Sequence, residues 1–311
     1  MFTNKHYILS IYKEGSFSKA AEKLYISQPS LSASVKRIEE RITAPIFNRA
    51  TNPVTLTEIG EKYVKYALEI EEKEKDFERY IYDCTNLLTG NVRIGGSSLF
   101  SSFLLPDMIS CFNKEYPQIK FEVFEDSTKN LIEKLQSGYL DIIIDNAVID
   151  NPLISSSVYT HETLLLAVPA GYEINSKLQK YRFTASDIKN QLHIKENREV
   201  SLKKFSDYPF ILLNPENDTG RRANLLFKKH NITPKTVFML DQQVTSYNIS
   251  ASGMGISFIS DTLIARLVND PRLYFYIISD QNVKRSIYFC TKNNHYLSLA
   301  CKKFIDFLSD N

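Results

Sequence analysis

The chain has 311 residues, 43% of them hydrophobic and 24% charged, a composition that excludes a disordered protein and leaves room for two or three compact units. No apolar run reaches the roughly 18 residues a membrane-spanning helix needs. The opening MFTNKHYILSIYKEGSF has neither an apolar signal core nor a small-residue cleavage site, so a cytoplasmic location without membrane contact is expected. The net charge of +2 conceals an asymmetry. Residues 1–60 hold eight Lys and Arg against five Glu, whereas the remaining 30 basic and 31 acidic residues nearly cancel. A basic head on a near-neutral body fits a nucleic-acid-binding module joined to something else.

The head reads as three helices. The first spans Lys5–Lys13 with Tyr7, Ile8, Ile11 and Tyr12 on its apolar face, and Gly15 supplies a left-handed stop. Ser16 caps the second, Ser18–Leu24, which turns Ala20, Ala21 and Leu24 inward. Ser27 is placed to cap a third helix, Gln28–Glu40, with Pro29 in its first turn and Leu31, Val35 and Ile38 inside. Two helices on a tight turn, the second opening with Gln28, Ser30, Ser32, Ala33, Lys36 and Arg37 outward, match the geometry that places a recognition helix in the major groove. A Gln bonds adenine bidentately, and Lys or Arg reaches guanine or phosphate. Spacing alone equally accommodates a small helical bundle with a solvated charged face.

Residues Thr57–Leu88 contain no Pro and one Gly, Gly60. The positions Ile59, Tyr63, Tyr66, Ile70, Lys73, Phe77, Tyr80, Cys84 and Leu87 alternate spacings of four and three, a heptad seam broken once by Lys73. A helix of this size is about 45 Å long, too long to pack alone against a small domain, so a dimer seam is expected.

Beyond Gly90 strands and helices alternate, which implies a mainly parallel sheet. Strands are expected at Asn91–Gly95, Ile119–Phe124, Leu140–Asp145, Thr163–Val168, Pro209–Leu213, Val237–Leu240, Gly255–Ile259, Arg272–Ile278 and Ser286–Thr291. Helices are expected at Phe103–Tyr116, Asn130–Ser137, Thr219–His230 (capped by Asp218 or Thr219), Val244–Ser252 and Tyr296–Leu308. Two such α/β units with a cleft between them form a hinged binding domain. None of the four cysteines (Cys84, Cys111, Cys290, Cys301) forms a C-x-x-C pair or has a His at metal-ligand spacing, so no metal or cofactor is expected. The five histidines sit in no nucleophile motif, and no G-x-S-x-G or phosphate loop occurs. No catalytic residue is therefore assigned. The alternatives, an enzyme or a solute-binding protein on the same α/β fold, lack a catalytic motif and an export signal respectively.

The stretch EGSFSKAAEKLYISQPSLS from Glu14, followed by Lys36-Arg37-Ile38-Glu39, Pro45-Ile-Phe-Asn-Arg and Leu56-Thr-Glu-Ile-Gly60, closely resembles the helix-turn-helix of LysR-type regulators. Gly90-Asn-Val-Arg-Ile-Gly, Gly138-Tyr-Leu-Asp, Glu162-Thr-Leu-Leu-Leu-Ala-Val-Pro and Gly253-Met-Gly-Ile-Ser-Phe-Ile-Ser resemble the effector domain of the same family. The resemblance implies a winged helix-turn-helix over residues 1–58, a dimerising linker helix over 59–89 and a two-subdomain, type 2 periplasmic-binding-protein-like α/β domain over 90–311. Subdomain 1 would hold about 90–166 and 272–311, and subdomain 2 about 167–271.

By family position, Ser27, Gln28, Pro29, Ser30 and Ser32 would meet the major groove of promoter DNA. Arg49 and Asn52 would sit on a wing running from Phe47 to Leu56. Ala33 and Thr55 stand where family members often carry basic residues, which shifts phosphate binding toward Lys36 and Arg37. The matching effector positions are Ser97, Ser98, Ser101, Ser127, Thr128, Asp218, Thr219 and Thr245. Hydroxyls and N–H groups at helix starts suit an anion such as a carboxylate, with Arg221 or Arg222 adding charge. Each hydroxyl equally suits simple capping, and Asp126 and Asp218 leave the ligand's charge open.

Overall fold

The computed structural model describes residues 1–48, 51, 53–85, 89–196, 198–293 and 295–309. The chain divides into two compact units, Met1–Thr85 and Asn86–Asn311.

In the first unit the helices are α1 (Lys5–Glu14), α2 (Phe17–Lys23) and α3 (Gln28–Ile42). An antiparallel pair follows, β1 (Phe47–Asn48) with β2 (Thr55–Leu56), then the long helix α4 (Glu58–Thr85). The stops and caps are those the residue types dictate. Gly15 sits at φ 60 after α1, and the Ser16 and Ser27 hydroxyls accept from the Lys19 and Ser30 N–H groups. The apolar face of α1 differs from expectation: Leu9 is buried with Ile8 and Ile11, while Tyr12 is half exposed. The reason is that α2, α3 and α4 all pack on α1, covering a different arc from the one a single stripe suggests. Glu39 ties α3 to the hairpin by accepting from the Ile46 N–H at 2.8 Å. Thr57 opens α4, accepting from the Gly60 N–H at 2.9 Å and donating to the Pro45 carbonyl at 2.7 Å. A Cβ on Gly60 would lie 2.0 Å from the Ile46 carbonyl oxygen, so only glycine permits this approach.

The second unit begins with β3 (Gly90–Gly96), α5 (Ser98–Phe103), α6 (Leu105–Glu115), β4 (Ile119–Glu125), α7 (Thr128–Gln136) and β5 (Ile142–Asp145). The helix expected over Phe103–Tyr116 is α6, which starts two residues later with Pro106 in its first turn; α5, ahead of it, was not expected. Strand β6 (Ile154–Pro169) crosses to the second half, which holds α8 (Ile174–Lys177), α9 (Ala185–Lys189), α10 (Leu192–Lys195) and β7 (Glu199–Val200). Next come β8 (Pro209–Leu213), α11 (Asp218–Lys229), β9 (Lys235–Leu240), α12 (Gln243–Ala251), β10 (Ile256–Ser260), α13 (Asp261–Arg266) and β11 (Leu273–Ile278). Strand β12 (Lys284–Lys292) and α14 (Leu299–Ser309) complete the unit.

The first sheet runs β4-β3-β5-β12-β6, parallel among β4, β3 and β5, with β12 antiparallel to β5 and β6. The second sheet centres on the other end of β6, which pairs antiparallel with β10 and β11, while β10, β8 and β9 are parallel. Strand β6 changes sheet between Thr163 and Leu164, close to the expected boundary. The return differs: β11 pairs within the second sheet, so the chain crosses back between Ile278 and Lys284 rather than at 272. One apolar core runs through both halves, joining Phe100, Phe112 and Phe304 of the first to Phe183, Tyr247 and Leu263 of the second.

Candidate nucleic-acid interface and effector cleft

The start of α3 presents a polar surface. Gln28, Pro29, Ser30, Lys36 and Arg37 are exposed, and Ser32 is half-buried. The Gln28 amide donates to the Ser32 hydroxyl at 3.0 Å, one turn on, which orders both side chains along the same face. Lys36 lies 3.8 Å from Glu40, an exposed pair that constrains it little. Ser27 is used as the helix cap. Tyr25 holds φ 54 in the turn before α3 and is 96% exposed.

In the hairpin, Asn48 donates to the Leu56 carbonyl at 3.0 Å and the Thr51 hydroxyl to the Asn48 carbonyl at 3.0 Å. Arg49 and Asn52 lie outside the described residues. The seam of α4 divides in use. Tyr63 is buried in the head's own core with Val64 and Ala67, whereas Ile59, Tyr66, Phe77 and Tyr80 are exposed and Ile70 is half-buried. The Phe77 and Tyr80 rings stack at 6.5 Å. The Cys84 side chain and Leu87 are outside the described residues.

Between the subdomains of the second unit lies a small cavity of about 30 Å³. Ser97, Leu99, Thr128, Asp145 and Asn146 line it from the first subdomain, and Asn217, Asp218, Gln242 and Gln243 from the second. Of the expected positions, Ser97, Thr128 and Asp218 come together here. The others are placed otherwise. Ser98 is half-buried at the start of α5, outside the lining. The Ser101 hydroxyl donates to the Gly96 carbonyl at 3.0 Å, Ser127 caps α7, and Thr245 is exposed on α12. Thr219 is buried, accepting from Arg285 and from the Gln243 amide, both at 3.0 Å. The cap of α11 is Asn217, not Asp218 or Thr219; its side chain accepts from the Thr219 N–H at 2.9 Å.

Beneath the cavity runs a buried ionic network that sequence reasoning missed. Arg285 on β12 donates to Glu162 on β6 at 2.7 Å and to Asp218 at 2.8 Å. The side chains of Arg285 and Glu162 are both 0% exposed. Asp218 also pairs with Arg222 at 2.7 Å and with Arg221. Burial pushes the Asp218 carboxyl up, but the Arg285 and Arg222 guanidiniums outweigh it and hold it below the usual carboxylate range. Asp145 makes no ion pair among the described residues. Burial raises its carboxyl, against the Ala147 N–H and the Thr128 hydroxyl that donate to it at 2.7 and 2.8 Å. Glu162 Oε2 and Arg285 Nη2 have no hydrogen-bond partner among the described residues. The residue types carried one faint signal: Glu162 opens an apolar run, a charge at a position that reads as buried.

Among the described residues no group of three or more His, Cys, Asp or Glu is placed to hold a metal ion, and no helix is long and apolar enough to cross a membrane.

A winged helix-turn-helix joined to a two-lobed α/β unit with a polar cleft is the build of a ligand-responsive transcription regulator. Family comparison agrees. Residues 3–61 match the model of the bacterial regulatory helix-turn-helix protein, lysR family, and residues 85–311 that of the LysR substrate binding domain. The chain belongs to the LysR family: it is a LysR-type DNA-binding transcription regulator with an effector-binding domain. It is 29% identical over 300 residues to a probable RuBisCO transcriptional regulator of Cyanidioschyzon merolae, covering 95% of this chain and 93% of that protein. In fold it is similar to a full-length OxyR variant from Pseudomonas aeruginosa (TM-score 0.67, 21% identity, 99% of this chain and 94% of that one). It is also similar to full-length CbnR complexed with its target DNA (TM-score 0.58, 17% identity, 100% and 99%). The periplasmic-binding-protein-like architecture of the effector domain follows from the same likeness.

Proposed function

We propose that the protein reads promoter DNA with the start of α3, assembled as a homo-oligomer through α4. Gln28, Ser30 and Ser32 meet base edges, and Lys36, Arg37 and the wing residues Arg49 and Asn52 meet backbone. The observation that carries this reading is the exposed, mutually ordered Gln28–Ser32 face on a capped helix. CbnR, similar in fold, has been captured on its target DNA. Selection of binding sites from random duplexes tests it. Gln28→Ala should relax preference at one base pair per half-site by about 1–3 kcal/mol, and an unchanged profile would reject the role. The exposed apolar residues of α4 from Tyr66 to Tyr80 support a partner helix, and a chain that stays monomeric at micromolar concentration would refute the seam.

The effector reading places a small molecule in the cleft, in contact with Ser97, Thr128 and Asp218. The helix starts there would attract an anion, but the protein's own carboxylates already take those positions: Asp218 in the first turn of α11, and Asp145 on the Thr128 hydroxyl. The lining holds two carboxylates and no cationic side chain, which favours a neutral or cationic head group with hydrogen-bond donors over the carboxylate expected above. A metabolite screen by thermal shift should find a stabiliser whose effect Thr128→Ala removes; indifference to that change would move the site elsewhere. Regulation rather than catalysis is the activity we assign, in the cytoplasm. The Ser286–His161 contact at 3.0 Å has no carboxylate orienting the imidazole among the described residues, and so lacks a triad's third member.

A further inference from the structure

A second and larger cavity, about 250 Å³, lies in the effector unit and shares no lining residue with the cleft. Its walls come from both subdomains: β6, the α5–α6 junction and β12 on one side, α9, α10 and α13 on the other. Its floor is apolar, with Leu104, Ile188 and Ile287 all buried and Tyr159 half-buried beside them. At the mouth stands Ile194, 68% exposed, a large side chain that water solvates poorly.

The charges are one-sided. The acid in the lining, Asp261, is engaged by the buried His193 at 3.0 Å. Lys189 and Arg266 on the rim are exposed, and among the described residues neither has a carboxylate partner. Arg266 donates to the Thr262 carbonyl at 3.1 Å, a bond that leaves its charge uncompensated. Burial pushes the Tyr159 hydroxyl up, and the Arg266 charge works against that rise. The space is a little below the common ~300–1,000 Å³ of small-molecule sites, so the occupant is compact.

We propose that this cavity is a second ligand site, taking a compact organic anion: a carboxylate held by Lys189 and Arg266, on an aromatic or branched apolar body seated over Leu104, Ile188 and Ile287. The two sites then differ in kind, the cleft donor-seeking and this one anion-seeking. Because its walls belong to both subdomains, an occupant fixes one against the other.

Titration calorimetry on the full chain tests this with three probes, phenylacetate, hexanoate and 4-methylpentanoate, against benzylamine as the cationic counterpart. At least one carboxylate should bind saturably and benzylamine should not. Lys189→Gln and Arg266→Gln should each weaken that binding about tenfold, the worth of one charge-assisted hydrogen bond. Ala265→Phe, which fills the cavity without touching its charges, should abolish it. All three variants alter the rim of the cavity, so circular dichroism should show an unliganded Tm like the parent's, and the two charge variants and the filling variant check one another. Thr128→Ala should leave carboxylate binding intact. Binding by none of the carboxylates, equal binding of benzylamine, or indifference to both charge changes and to Ala265→Phe would overturn the proposal. Loss of binding in Thr128→Ala would also overturn it, by moving the anion to the cleft; the cleft would then stand as a ligand site, but its preference for a neutral or cationic head group would fall.

Discussion

Replacing Arg285 with Met removes the centre of the buried network while keeping most of its volume. Three bonds vanish: to Glu162 at 2.7 Å, to Asp218 at 2.8 Å and to Thr219 at 3.0 Å. Asp218 retains Arg221 and Arg222. Glu162, its side chain wholly buried, retains only the Asn146 amide at 3.2 Å among the described residues. The loss is therefore dominated by one uncompensated buried carboxylate, worth about 3–5 kcal/mol, while the near-isosteric Met adds little cavity cost. At about 2–4 °C per kcal/mol for a unit of this size, Tm should fall by about 6–20 °C. Urea unfolding followed by far-ultraviolet circular dichroism gives the free energy directly. Removing the orphan as well, in Arg285→Met with Glu162→Met, should recover most of the loss, since apolar replacement of a whole buried pair is often neutral or better. A loss below about 1 kcal/mol, the range of an exposed pair, would refute the reasoning. So would a double variant no more stable than the single one.

Two further outcomes follow from the packing. Asp145 has a raised carboxyl, so the folded state holds its proton more tightly than the unfolded one, and stability is lost as pH rises from the usual carboxylate value through the raised one. Asp145→Asn should raise Tm at pH 7, with the difference closing as pH falls below about 4; an unchanged or lower Tm at pH 7 would count against it. Gly60→Ala forces a Cβ to 2.0 Å from the Ile46 carbonyl and should cost the first unit about 1–3 kcal/mol. Hydrogen exchange measures this as faster exchange in α1 and α3, and parental exchange rates would contradict it.

How legible an element was depended on how many neighbours decide it. The turn residues Gly15, Ser16 and Ser27 act on adjacent backbone, and their roles were readable from residue type. Strands β8 and β11, apolar throughout, were placed to within a residue. The first half of β6 was not, because Ser155, Ser156, Ser157, Thr160 and His161 are exposed there and lack an apolar run. The seam of α4 was readable as a period, but not that Tyr63 would turn into the head's own core. In the cleft, the hydroxyls at helix starts were named from the family resemblance, and their chemistry alone suited capping equally well. Asn146, Gln242 and Gln243 carry no local mark. Glu162 and Arg285 meet from 123 residues apart, a distance over which residue pattern says nothing about pairing.

The crossover strands also set the order in which the molecule can form. The first unit ends at Thr85. In the effector unit, β12 closes the first sheet by inserting between β5 and β6, joining Ser156 to Cys290 across 134 residues. On the ribosome, β5, already paired on one side with β3, and the polar half of β6 therefore emerge with the edges that β12 will fill left open until the second subdomain has been made. Loop-closure entropy makes that late insertion slow, and the waiting edges are surfaces on which chains stick to one another. The DNA-binding head is thus complete well before the domain that governs it.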